Sequence, residues 1–155
     1  MDKLVLYCKS YHADVDRVVN LAQSIEKYNT DNLPFYVSVP SSDMKLFESK
    51  TPSFIRLIED ESIDFNNGGW IGQQVIKSQF WKLNLSNNYL CLDSDSEFIR
   101  PFYLSDFMYD EETPYTVLHE DKELMEWAMK AGFDFDIQKS FKEDRDKVME
   151  VFDRK

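Results

Sequence analysis

Tyr89-Leu90-Cys91-Leu92-Asp93-Ser94-Asp95-Ser96-Glu97-Phe98-Ile99-Arg100-Pro101 runs a short apolar segment straight into a pair of aspartates. Residues 89–92 have the length and composition of a buried strand. In an extended chain, residues two apart share a face. Asp93 and Asp95 are therefore expected to aim both carboxylates at one point beyond the strand end. Two carboxylates so close repel each other unless a cation lies between them. Mg²⁺ and Mn²⁺ suit such a pair, because these hard ions take carboxylate oxygens and keep positions open for phosphate oxygens. A solvated acidic turn is the plain alternative, and in so acidic a chain it is the commoner fate of a bare Asp-x-Asp. The apolar run before the pair favours a site, since ligands of open α/β sheets bind beyond the carboxyl ends of strands.

Working outward, the chain alternates strand-like and helix-like patterns. Leu4-Val5-Leu6-Tyr7-Cys8 is a continuous apolar run of the kind that fills a buried parallel strand. Val15, Val18, Val19, Ala22 and Ile25 recur at helical spacing, which predicts a helix from Val15 to about Tyr28 with Asp14 as its cap. Phe35 to Val39 is a second strand. A short helix over Met44–Ser49 follows, capped by Ser42 or Asp43, and then a third strand over Phe54–Ile58. This β-α-β-α-β opening predicts a parallel sheet with right-handed crossovers. Asn66-Asn67-Gly68-Gly69 is the strongest turn signal and precedes a helix from Trp70 to about Leu85. Beyond the Asp pair, Pro114–His119 predicts a fifth strand. Asp121 is placed to cap a helix through Met129, with Gly132 as its stop. The division expected is an α/β domain over 1–120 and a helical segment over 121–155. Phe141, Val148, Val151 and Phe152 give that segment only a loose apolar stripe.

Composition narrows the class. The 155 residues are 43% hydrophobic and 15% aromatic, which excludes a disordered chain and allows one real core. Four Gly and five Pro argue against a loop-dominated fold, and no internal repeat is found. A formal net charge of −11 opposes binding to nucleic acid or anionic lipid. An acidic protein that takes a diphosphate needs a local Lys or Arg, a helix N-terminus or a metal. The opening Met1-Asp2-Lys3-Leu4 lacks the apolar core of a secretory signal, and no apolar stretch approaches a membrane span. The expected setting is cytoplasmic. Cys8 and Cys91 lie in apolar runs, where buried free thiols are expected, and their spacing fits neither a zinc site nor a disulfide framework.

On the helix after the Gly pair, Trp70, Gln74, Lys77 and Trp81 fall at i, i+4, i+7 and i+11 and form one stripe, with Gln73 on its shoulder. Two Trp, a Gln and a Lys make an odd solvent face and an awkward dry core. They suit the edge of a sugar pocket, with an aromatic platform, amide hydrogen bonds and one cation near a phosphate. Half-buried Trp rings with a snorkelling Lys are the plain alternative. Several other motifs fail. No Gly-rich phosphate loop follows the first strand, and neither the Asp93 nor the Asp134 stretch has the glycine of an EF-hand loop. His119, a lone histidine at a strand end, is more often structural than a ligand.

The segment around Asp93 and Asp95 resembles the Asp-x-Asp motif of nucleotide-sugar glycosyltransferases of the GT-A fold. Gly68-Gly69-Trp70-Ile71-Gly72-Gln73-Gln74-Val75-Ile76-Lys77 resembles the Gly-Trp-x-x-Gln-Gln-x-x-Lys helix of a bacterial family of glycosyltransferase-like proteins. In that family the helix precedes the Asp-x-Asp strand and Arg-Pro follows, as Arg100-Pro101 does here. The similarity covers most of the chain up to about residue 120.

The resemblance implies a Rossmann-like GT-A nucleotide-diphospho-sugar transferase fold, a mainly parallel sheet flanked by helices. It also implies a donor site. Ser10 and Tyr11, after the first strand, would meet the base and ribose, and Asp60, after the third, would receive donor groups of the base or sugar. Trp70, Gln73, Gln74 and Lys77 would border the pocket, and Asp93 and Asp95 would hold Mn²⁺ or Mg²⁺ on the diphosphate. The partners implied are a nucleotide-sugar and a glycan-type acceptor. The catalytic base is unassigned; Glu120 and Asp121 are candidates by position only. Such enzymes usually extend further to build the acceptor side, so a shortened form, or a donor-binding half pairing through its C-terminal segment, is expected. Two other readings compete. One is a non-catalytic nucleotide-sugar-binding or assembly module. The other is a phosphatase of the haloacid dehalogenase type, which uses the first Asp of such a pair as nucleophile but carries it on the first strand.

Overall fold

A computed structural model describes residues 2–60 and 69–115 and the single positions 126, 130 and 132. The chain divides into two units, Met1–Tyr115 and Thr116–Lys155. In the first unit the elements are β1 (Asp2–Lys9), α1 (Val15–Tyr28), β2 (Phe35–Val39), α2 (Met44–Lys50), β3 (Arg56–Glu59), α3 (Gly69–Gln79) and β4 (Ser86–Leu92). In the second, Glu126 and Lys130 are helical and exposed. Gly132 takes a φ of 80°, a left-handed conformation that glycine adopts without steric cost.

The four strands form one sheet in the order β3-β2-β1-β4, and every pairing is parallel. The architecture is α/β. Leu4 to Lys9 of β1 and all five residues of β2 are buried, as the unbroken apolar runs require of central strands covered on both faces. Alternate side chains feed two cores. Leu4, Leu6 and Cys8 pack with Phe35, Val37 and Val39 against Val18, Leu21 and Ile25 of α1 and Phe47 of α2. Val5, Tyr7 and Tyr36 face the other way, onto Phe80 just beyond α3. Tyr7 and Phe80 stack with ring centroids 4.0 Å apart. α1 and α2 thus cover one face, and α3 with its extension covers the other.

This order creates a switch point. The chain steps from β1 outward to β2 and β3, then returns across the sheet to lay β4 on the opposite side of β1. The connections leaving β1 and β3 diverge there, and ligands of open α/β sheets settle in the crevice beyond the carboxyl ends at such a point.

Several local expectations shift. β3 starts at Arg56, because Pro52 to Ile55 form a turn closed by the Ile55 amide on the Pro52 carbonyl at 3.2 Å. The helix after Trp70 ends as α-helix at Gln79 and tightens to a 3₁₀ turn over Phe80–Leu83, stopped by Asn84 at φ 50°. Asp14 and Asp43 make no side-chain cap bond to the helices they precede. Cys8 is fully buried as expected, but Cys91 is exposed, because β4 borders only β1 among the described strands. The expected fifth strand lies outside the described residues from 116 onward; before it, Pro114 makes a single antiparallel bridge with Met108. The Asp121 cap and the 137–155 stripe also lie outside them. No helix among the described residues is long and apolar enough to cross a membrane.

Candidate functional site

Three strand ends and one helix supply the candidate residues. Lys9, the last residue of β1, carries an ammonium on an otherwise apolar run and is buried with 7% exposure. Its Nζ lies 2.7 Å from Asp60 Oδ2, the carboxylate that follows β3. Both side chains are almost wholly shielded from solvent, at 4% and 9% exposure. β2 lies between β1 and β3, so Lys9 must cross it. The residue beside Lys9 in the register is Ser38, small and fully buried, which leaves the lane open. Ser38 Oγ also pairs with Tyr7 Oη at 2.8 Å, on the same face. Burial pushes the Tyr7 phenol well above its ordinary range, and the charge of Asp60 adds to the rise.

Lys9 also donates to the carbonyl of Ser10, which fixes the start of the turn after β1. Ser10 is buried, and its Oγ has no hydrogen-bond partner among the described residues. Buried hydroxyls are normally satisfied, so this one is an exception among the described residues. Tyr11 follows at 36% exposure, edge-on to the His12 ring at 5.3 Å. Asp43, expected as a helix cap, instead accepts the His12 amide at 2.7 Å and pins this turn to the loop after β2.

At the other side of the switch point, Lys77 of α3 donates to Asp93 Oδ1. The lysine side chain is largely buried, at 14% exposure, while Asp93 is open to solvent at 70%. Burial alone lowers the Lys77 pKa, but the hydrogen bond and charge of Asp93 more than offset it, and the net shift is upward. Tyr89 Oη donates to the Lys77 carbonyl at 3.0 Å, which ties α3 to β4 at this level. The register sets Cys8 beside Leu92, so Lys9 and Asp93 come next along two adjacent strands.

The Asp pair itself departs from the extended geometry expected of it. Strand pairing stops at Leu92, and the Ser96 amide donates to the Asp93 carbonyl at 3.0 Å, closing a four-residue turn. Asp95 therefore sits inside a turn rather than on the strand face that carries Cys91, and it is exposed. The chain then crosses to α1, where the Phe98 amide donates to Ser24 Oγ at 3.0 Å and Phe98 stacks on Phe102.

Of the remaining candidates, Gln73 is half-buried and Gln74 exposed on α3. Trp70 lies in the first turn of that helix, and its side chain lies outside the described residues, as do Glu120 and Asp121. Trp81 does not extend the Gln74–Lys77 stripe. It falls in the 3₁₀ turn, where the angular step per residue is larger, and it is 60% exposed. Lys9 and Asp43 carry much of the geometry, though sequence named neither as a site residue and read Asp43 only as a helix cap. The available signals were a lysine closing an apolar run and a serine within a buried strand, and neither names its partner.

The donor set bears on a cation. Among the described residues no three His, Cys, Asp or Glu side chains converge to hold an ion. What is present is one exposed carboxylate already bearing a cation, the Lys77 ammonium, with a second carboxylate two residues on. Such oxygens fit Mg²⁺ or Mn²⁺ shared with a diphosphate, since these ions bind through one or two carboxylates, phosphate oxygens and water. They do not fit a closed structural metal cage.

No curated protein and no solved structure matches this chain. The model of the family of unknown function DUF6492 matches residues 4–132, and the chain belongs to that family.

Proposed function

We propose that the chain is a GT-A-like, metal-assisted glycosyltransferase domain that binds a nucleotide-sugar at the carboxyl edge of the sheet and passes its sugar to a glycan-type acceptor. The observation that carries this reading is Lys77 on Asp93, a cation from α3 resting on the first Asp of the motif beside the switch point. In this reading the base and ribose lie over the β1 turn. Ser10 Oγ, without a hydrogen-bond partner among the described residues, bonds the ligand, Tyr11 offers a ring to stack on, and Asp60, anchored by Lys9, meets ligand donors. Trp70, Gln73 and Gln74 border the sugar. Asp93 and Asp95 would hold Mn²⁺ or Mg²⁺, which when bound supplies Lewis-acid stabilisation of charge on the departing diphosphate. Lys77, which lies on Asp93, would supply a positive charge to a phosphate oxygen of the diphosphate.

A thermal-shift series on the full chain tests this. Nucleoside diphosphates with Mn²⁺ should raise the melting temperature, by the equivalent of about 2.7 kcal/mol when the ligand is at a hundred times its Kd. Chelator should remove most of the effect, and Asp95→Asn should weaken it without lowering the melting temperature of the free protein. Equal stabilisation with and without metal would remove the reading. Hydrolysis of a nucleotide-sugar in the presence of Mn²⁺ would separate an enzyme from a module that only binds.

A further inference from the structure

We infer that Lys9 is a positioning residue for the nucleoside half of the site, acting through Asp60 and the Ser10 carbonyl rather than by touching ligand. This rests on the donor-binding reading above. A buried ion pair is poorly explained as a device for stability. Removing two charges from water costs about as much as their attraction returns, and apolar residues of similar volume usually serve as well or better. Everything else along β1 from Leu4 to Cys8 is apolar, so a hydrophobic residue at position 9 would continue the core without that cost. Instead the sheet accommodates the lysine, by keeping the small Ser38 in its path and a carboxylate beyond β3 to receive it.

The consequence is geometric. One ammonium bonds to Asp60 Oδ2 at 2.7 Å and to the Ser10 carbonyl, so the ends of two non-adjacent strands are held at one spacing. Ser10 and Asp60 are the two residues proposed to meet the nucleoside. Ser10 Oγ, buried and without a partner among the described residues, has a defined position only if the turn bearing it is held. Lys9 itself is turned into the protein and neutralised, which makes it a poor phosphate ligand. Its removal should therefore disturb recognition of the nucleoside and leave the metal–phosphate half alone.

A double-mutant cycle on the 155-residue chain tests this, using calorimetry with a nucleoside monophosphate and, separately, with Mn²⁺–pyrophosphate. Lys9→Met should weaken nucleoside monophosphate binding about tenfold or more, the size of a charge-assisted hydrogen bond, with Mn²⁺–pyrophosphate unchanged within about twofold. Lys9→Met alone takes the ammonium away from a buried carboxylate and can fail to fold, so Lys9→Met/Asp60→Asn, which removes both charges, is made alongside Asp60→Asn. The double variant should regain thermal stability yet still bind the nucleoside more weakly than wild type, with a loss smaller than the two single losses combined, because Lys9 acts in part through Asp60 and in part through the Ser10 carbonyl. Recovery of nucleoside affinity together with stability would mean that the pair is structural only and would overturn the inference. So would additive losses, or equal losses for both ligands. A wild-type chain that binds no nucleotide would instead remove the donor-site reading, and the role of Lys9 with it.

Discussion

Cys8 and Cys91 stand on adjacent strands of one sheet and differ in what surrounds them. Cys8 is enclosed by the α1 core, and burial pushes its thiol up to about 12, while Cys91 is exposed on β4, although partial burial raises its thiol as well. A thiol reagent at neutral pH should therefore modify one cysteine of the native protein and two in denaturant, with mass spectrometry placing the first on Cys91. The pH dependence has a definite sign. Unfolded Cys8 ionises near its ordinary 9.0, whereas folded Cys8 holds its proton to about 12. Between those values the unfolded chain has released a proton that the folded chain keeps, so stability is complete below pH 9 and falls as pH rises. Lys77, also shifted upward, acts in the same direction above its ordinary 10.5. Urea unfolding at stepped alkaline pH should show a loss from Cys8 of up to about 1.4 kcal/mol per pH unit. Cys8→Ala should flatten the slope.

Among the elements, β2 shows how a strand built for burial also serves a site. Phe35, Val37 and Val39 feed the α1 side, while Tyr36 and Ser38 face α3, and Ser38 is the only residue of the strand small enough to pass the Lys9 side chain. Ser38→Val raises strand propensity but places a branched side chain in that lane and takes the hydroxyl from Tyr7. We expect a net destabilisation of about 1–3 kcal/mol by urea unfolding, with Ser38→Ala milder because the lane stays open. The bounds of α1 and β2 follow from periodicity, since each depends on burial repeated along one element. The caps do not: Asp14 is used by Arg17 at 3.1 Å and Asp43 by His12, partners that local pattern does not reveal. α3 gives way to a 3₁₀ turn at Phe80, where the ring packs onto Tyr7 of another element.

For the molecule as a whole, 29 acidic residues against 18 basic ones leave a field that repels polyanions. The two lysines that matter at the carboxyl edge do not relieve it, because each is neutralised by its own aspartate. The chain should pass unretained through heparin at low salt and bind an anion exchanger at neutral pH; retention on heparin would mean a basic surface that the charge balance hides. A small diphosphate escapes this repulsion only where a cation is delivered locally, which links the charge of the whole molecule to the metal requirement proposed for Asp93 and Asp95.

The amino-acid sequence by itself determined the alternation of strand and helix, the parallel character of a sheet apolar on both faces, and the position of an Asp pair at a strand end. Those properties are local, since hydrophobic period and run length record how each segment is buried. It did not determine that Asp93 closes a turn and takes Lys77, that the Asp43 carboxylate leaves its helix for the His12 amide, or that Lys9 reaches Asp60 across β2. Apart from the local turn at Asp93, those pairings join residues far apart in the chain. They depend on strand order and register, which are settled only when the whole sheet packs between its two helical layers, so the tertiary structure alone decided which charges meet at the carboxyl edge.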